Sequence, residues 1–161
     1  MIIDVLNKVL MINVCQMEVF DSQAKPFYLA CFEDVTAQTS AKLNPTSGVV
    51  QLGKIPLYEK GRLLFLESRS IFYFGADGNY CQVFSESGRH YLHASLKQVL
   101  HRYVGPEFVR THKSCVVNLR RVRGIKRQQG QHMVVFDNDQ IPPAPVARRR
   151  LADLKKALGL P

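Results

Sequence analysis

Residues 108–119 read FVRTHKSCVVNL. Arg110, His112 and Lys113 cluster around Thr111 and run straight into the apolar Cys115-Val116-Val117, which Asn118 closes. A stiff strand delivering a short cationic tip is a way to press positive side chains against a polyanion. Arg120, Arg121, Arg123, Lys126 and Arg127 extend the basic run. A second cluster, Arg148-Arg149-Arg150, stands where a last helix is expected to begin. Cations in a first helical turn oppose the helix dipole, at a cost of about a few tenths of a kcal/mol each. Bound phosphate would meet both these guanidinium groups and the free helix N–H groups. Taken alone, the triplet reads equally as a solvated face, because Arg is a good helix former. Asp77-Gly78-Asn79-Tyr80 has the chemistry of a hairpin turn. It would hold Asn79 at an exposed tip, where an amide can read an adenine edge.

Other chemistries find little support. His90, His93, His101, His112 and His132 have no metal-ligand spacing, and His90 and His93 fall on opposite faces of a strand. Phosphate-cradling and dinucleotide-binding glycine loops, a nucleophile elbow and an HExxH pair are all missing from the sequence. The close acids Glu33-Asp34 and Asp137/Asp139 sit where strand ends and turns are expected. No catalytic role, metal or cofactor is therefore expected. Cys15, Cys31, Cys81 and Cys115 lie far apart among β-type apolar residues, as reduced and packed thiols do. No apolar stretch is long enough to cross a bilayer and no secretory signal is recognisable, so a cytoplasmic location is expected.

Two regions must position the basic clusters. Residues 1–53 hold three Lys and five Asp or Glu; residues 54–161 hold 19 Lys or Arg and eight Asp or Glu. A polyanion partner is thus expected for the second region only. Between Arg89 and Phe136 the one acid is Glu107, whereas a merely soluble surface would intersperse both signs. The charge boundary coincides with Asn44-Pro45-Thr46-Ser47-Gly48, a polar stretch of turn formers, which places a linker at 44–53.

Before the linker, Val5–Val19 reads as one long strand and Phe27–Phe32 as a second, with a turn over Asp21–Pro26. After it come short strands at Ile55–Tyr58 and Leu63–Leu66, then Ile71–Phe74 and Tyr80–Phe84 flanking the Asn79 loop. Ser95 and Gln98 make a capping box for a helix with Leu96, Val99, Leu100 and Tyr103 on one face, stopped by Gly105-Pro106. Val109–Ile125 is β-rich. Met133–Phe136 is expected to pair with Ile141 across Asn138-Asp139, and a last helix is expected over Val146–Leu158. The fold class is mainly β with two or three short helices.

Residues 54–160 resemble the LytTR-type DNA-binding domain of bacterial response regulators. The resemblance rests on Ile55-Pro56-Leu57, Ala76-Asp77-Gly78-Asn79-Tyr80, Ser95-Leu96, Phe108–Ser114, Val117-Asn118-Leu119 and Pro145–Arg149. It implies a LytTR-type β fold that reads successive grooves of DNA with loops rather than with a helix. Carried over position by position, it implies base contacts from Asn79, Lys113 and Arg148. Phosphate contacts are expected from Arg110, His112, Ser114, Arg120, Arg121 and Arg149. Two departures matter. Ala147 stands where many members have Ser, which removes a hydroxyl contact. Lys113 replaces a more frequent Arg, so bidentate reading of guanine weakens to a point-charge contact.

Residues 1–43 resemble the last two strands of a PAS domain, ending in Phe32-Glu33-Asp34-Val35-Thr36, without the first half or the ligand pocket. The expected function is sequence-specific regulation of transcription, as a homodimer on promoter direct repeats of double-stranded DNA and with no membrane contact. Two alternatives remain: a fragment of a PAS-containing ligand or haem sensor, or a dimerisation adaptor for a full-length regulator. Some PAS–LytTR regulators bind haem, but no haem ligand is assignable here, and Met11, Cys15 and Met17 read as core residues.

Overall fold

The computed structural model describes residues 2–5, 8–17, 27–40, 42–43, 50–59 and 62–160. The expected turn over Asp21–Pro26 and the centre of the expected linker, Asn44–Gly48, lie outside these residues. The described chain is mainly β, as expected. Its strands are β1 (Ile2–Val5), β2 (Lys8–Met17), β3 (Phe27–Asp34), β4 (Lys42–Leu43), β5 (Val50–Gln51), β6 (Lys54–Glu59), β7 (Arg62–Glu67), β8 (Ile71–Asp77), β9 (Tyr80–Ser85) and β10 (Gly88–Leu92). After the helical segment α1 (Leu96–Gln98) follow β11 (Phe108–His112), β12 (Cys115–Asn118), β13 (Val122–Gln128), β14 (Gln131–Phe136), β15 (Ala144–Val146) and α2 (Leu151–Ala157).

The centre is a five-stranded sheet in the order β10-β9-β8-β12-β11. Ile71, Phe72, Tyr73 and Phe74 of β8 are all buried, as are Cys115, Val116 and Val117 of β12. Consecutive burial means that both sheet faces are covered, the pattern of a strand buried on two sides. On one face Ile71, Phe74 and Val116 join Ile55, Leu57, Leu96, Val99 and Tyr103. On the other, Phe72, Tyr73 and Val117 join Val134, Phe136, Val146 and Leu154. Tyr73 is stacked between Phe84 and Phe136, at centroid distances of 4.1 and 5.3 Å.

Ser95 caps α1 as the capping box requires, with Gln98 N–H donating to its hydroxyl and the Gln98 side chain taking the Ser95 N–H. Beyond Gln98 the chain widens into a π-type turn over Val99–Tyr103. Leu96, Val99 and Tyr103 are buried, so the apolar face read from the spacing meets the core.

Three elements differ from expectation. Where one strand was expected from Val5, β1 and β2 form a hairpin, and with β3 they make a three-stranded rather than two-stranded sheet. The β-branched Ile2, Ile3 and Val5 favour extended backbone and pair with Met11, Leu10 and Lys8. Ile141 does not pair with β14; its N–H closes a turn onto the Asn138 carbonyl, and β14 pairs instead with β13 and β15. The last helix does not start at Val146, because that residue pairs with His132 in the sheet.

The N-terminal strands share the main core. Val9, Met11, Val35 and Leu52 pack in the cluster around Ile55 and Phe74. Leu52 N–H donates to the Arg102 carbonyl and Lys54 N–H to that of Thr39. The acidic tail of β3 is locally knit: Asp34 accepts from the Thr36 hydroxyl and N–H, and pairs with Lys8 at 3.2 Å. The Thr36 hydrogen bonds first, and then Lys8, hold the Asp34 carboxyl below its ordinary pKa.

Cys81 and Cys115 are packed thiols, and burial raises them to about 11 and about 12. Cys15 and Cys31 are exposed rather than packed, because this end of β2 and β3 extends beyond the core. Among the described residues no helix is long and apolar enough to cross a membrane.

Candidate nucleic-acid interface

Three loops meet at one end of the central sheet. The first joins β8 to β9. Asp77 pairs with Tyr80, so Gly78 and Asn79 alone make the connection. Gly78 has φ of +58°, a left-handed conformation that favours a residue without Cβ. Asn79 is exposed at the tip. Gln82 braces the base of the hairpin by donating to Asp77 at 2.7 Å.

The second loop joins β11 to β12. His112 pairs with Cys115, leaving Lys113-Ser114 at the turn beside a bulge that follows Arg110. Lys113 is exposed. Arg110 reaches back across the turn, donating from Nε to the His112 carbonyl at 3.2 Å and from Nη2 to that of Lys113 at 2.5 Å. It holds the backbone that presents Lys113. Ser114 N–H donates to His112 Nδ1 at 3.3 Å, and the Ser114 hydroxyl lies 2.8 Å from the same nitrogen. Nδ1 is therefore an acceptor, which leaves the imidazole proton of the neutral ring on Nε2.

The third loop leaves β15. Arg148–Arg150 form a 3-10 turn, and α2 begins only at Leu151. The three arginines thus precede the α-helix rather than occupy its first turn. Ala147 makes no side-chain cap, in keeping with its lack of a hydroxyl. All three arginines are exposed, and Arg150 faces Asp153 at 3.6 Å.

Backbone bonds tie the loops together. Cys115 pairs with Gly75, and Ala76 N–H donates to the Ser114 carbonyl at 2.9 Å, joining the first loop to the second. Ala147 N–H donates to the Thr111 carbonyl at 2.8 Å, and the Thr111 hydroxyl to the Pro145 carbonyl at 2.9 Å, joining the second to the third. Neighbouring strands lie about 4.8 Å apart, so the first two hairpins are separated by roughly 10 Å. Asn79, Lys113 and Arg148 are brought to one end of the molecule as exposed side chains on a bonded frame.

The expected phosphate contacts divide. Arg120 and Arg149 are exposed. Arg110, His112 and Ser114 build the second loop from within. Arg121 is committed elsewhere: its side chain is only 17% exposed and pairs with Glu86 at 2.6 Å and Asp137 at 2.9 Å. The guanidinium also lies 4.2 Å over the Phe72 ring. Burial opposes its charge, but the hydrogen bonds it donates to Asp137 and Glu86 outweigh that and raise its pKa above the ordinary value. With its donors engaged inside the molecule, Arg121 meets Glu86, Asp137 and the Arg69 carbonyl, and the phosphate contact expected of it competes with these partners. Sequence reasoning also missed the structural roles of Thr111 and Asn118, both fully buried. The available signal was a polar residue inside an apolar strand, which must find a partner.

The domain is mainly β and offers exposed cations and an amide from loops at one sheet end. Residues 61–159 match the LytTr DNA-binding domain family, and the chain belongs to it. The fold is shared with the LytTr DNA-binding domain of a putative methyl-accepting/DNA response regulator from Bacillus cereus. The TM-score is 0.58 at 18% identity, covering 67% of this chain and 98% of that one. The chain is also similar to "Heme-containing CO-sensing transcriptional regulator RcoM 2" of Paraburkholderia xenovorans, 30% identical over 99% of this chain. A "CO-responsive transcriptional regulator RcoM" of Rhodospirillum rubrum is 26% identical over 68% of this chain and 46% of its own. The chain spans 61% of the length of the Paraburkholderia relative.

Haem iron takes an axial His, Cys, Met or Tyr. Residues 1–43 contain no histidine. Met11 is packed into the core, and Cys15 and Cys31 are open to solvent. No haem ligand is assigned among the described residues of the N-terminal sheet.

Proposed function

We propose that this chain is a cytoplasmic, sequence-specific regulator of transcription that binds double-stranded DNA through the three tied loops. Asn79 and Arg148 read base edges, and Lys113 adds a point charge in a groove. Arg120 and Arg149 neutralise phosphates, while Arg110, His112 and Ser114 hold the second loop in shape and touch the backbone only where it passes close. The observation that carries this reading is the convergence of the three tips at one sheet end. Residues 54–160 form the DNA-binding domain, residues 44–53 connect, and the PAS-like residues 1–43 serve regulation.

Titration of a selected duplex at several salt concentrations tests the reading. With about two phosphates neutralised per chain, log affinity falls against log salt with a slope of about −2. Arg148→Ala relaxes the preference at one base position and costs about 1–3 kcal/mol on the selected site. A flat salt response would overturn the model. A loss of equal size on selected and random DNA would reduce Arg148 to a phosphate clamp.

A second reading concerns assembly. Val14, Tyr28 and Phe32 are 57, 65 and 62% exposed. The register Ile12↔Phe32, Val14↔Ala30, Gln16↔Tyr28 puts them on one face of the β2–β3 pair. Such a face suits a second copy of the chain, giving a homodimer able to span direct repeats. Sedimentation of the full chain is expected to show a dimer that Phe32→Asp shifts to monomer. An unchanged sedimentation profile would place the dimer contact elsewhere.

A further inference from the structure

The hairpin between β13 and β14 ends beside the DNA-reading loops. Gln128 pairs with Gln131, so Gln129-Gly130 form a two-residue connection. Their φ values are +49° and +78°, the pair of left-handed residues that defines a type I′ turn. Gly suits the second position. At the first, Asn, Asp or Gly is the usual choice, because a longer side chain gains no local hydrogen bond to offset the left-handed backbone. Gln129 is thus a residue that local folding does not favour. Backbone strain of this sort collects at functional tips.

The surroundings point the same way. β14 pairs with β15 at His132↔Val146, which sets the tip next to Ala147 and Arg148. An open cleft of about 390 Å³ is lined by Gln129, Gly130 and Gln131 on one side and by His112 and Arg148 on the other. Residues 126–131 are all exposed, Lys126 and Arg127 among them. The sequence holds no acid from Phe108 to Phe136. A Cβ added at Gly130 would meet nothing within 4 Å.

We propose that the β13–β14 tip is a fourth DNA-contacting element and that Gln129 determines specificity. Its amide takes the N6 and N7 edge of an adenine next to the base read by Arg148. Lys126 and Arg127 on the arm of the hairpin face the flanking phosphates. The inference rests on the DNA-binding reading given above.

The test is selection of duplexes from a random pool by the full chain, by Gln129→Gly and by Arg148→Ala. Glycine is favoured in a left-handed turn, so Gln129→Gly removes the amide without endangering the hairpin. The expected result is loss of one adenine preference adjacent to the position lost in Arg148→Ala. Affinity for the parent's site should fall roughly 5- to 150-fold, with little change on random DNA. An unchanged preference in Gln129→Gly beside an altered one in Arg148→Ala overturns this inference alone. Equal losses on selected and random DNA overturn it as well. A parent chain that selects no site overturns both this inference and the reading beneath it.

Discussion

Replacing Arg121 with alanine is expected to lower the stability of the chain by about 2–3 kcal/mol while leaving the salt slope of DNA binding unchanged. The guanidinium ties three separate segments: the Arg69 carbonyl at 3.1 Å, Glu86 at 2.6 Å and Asp137 through contacts of 2.9–3.1 Å. It also covers Phe72, one of the largest fully buried side chains. Removing it strands two carboxylates, but these are 59 and 48% exposed and regain water, which keeps the loss below that of a fully buried pair. Arg121→Lys keeps the charge but not the planar fork, and should recover only part of the loss. Urea denaturation reads the stability, and titration under native conditions reads the slope. A slope shallower by about one with unchanged stability would return Arg121 to the DNA surface.

The second large effect is expected at Asn118. Its side chain is fully buried, donating from Nδ2 to the carbonyls of Ile71 and Ser68 at 2.8 and 3.3 Å and accepting the Arg120 N–H at 3.1 Å. Asn118→Leu conserves the approximate volume but orphans all three backbone groups, at a cost of about 2–4 kcal/mol. Asn118→Asp should fare worse at neutral pH, since a buried carboxylate would face two carbonyl oxygens. Thermal melting of the three chains checks the order. A leucine variant as stable as the parent would show that water replaces the amide without loss. Asn118 belongs to the same signature string as Lys113, yet it is buried in the fold while Lys113 is exposed.

That contrast explains what could be read from the sequence. The capping box of Ser95 and Gln98 and the Gly78-Asn79 turn are encoded within a few residues, so local chemistry suffices to find them. Consecutive burial in Cys115–Val117 is visible as an unbroken apolar run. Arg121 is different. Its acids lie 35 and 16 residues away, at Glu86 and Asp137, and nothing near it in the chain distinguishes it from Arg120. The three-residue strand β15 was hidden for another reason. Pro145 cannot complete a ladder, and such a strand survives only at a sheet edge, a position set by β14 rather than by its own sequence. Once Val146 is held there, the start of the last helix must move to Leu151. The N-terminal hairpin was missed because Ile2–Val5 and Lys8–Met17 are both rich in apolar β-type residues, and periodicity alone does not mark the reversal between them.

The bonded frame under the three tips has a consequence for how such a domain diverges. The ties run through Thr111, Ala76, Ser114 and Ala147, largely backbone to backbone, whereas Asn79, Lys113 and Arg148 are exposed and carry none of them. Substitutions at the tips can therefore change the surface that the loops offer at little cost in stability, and each tip can drift separately. A lineage can vary the tips while inheriting the same scaffold.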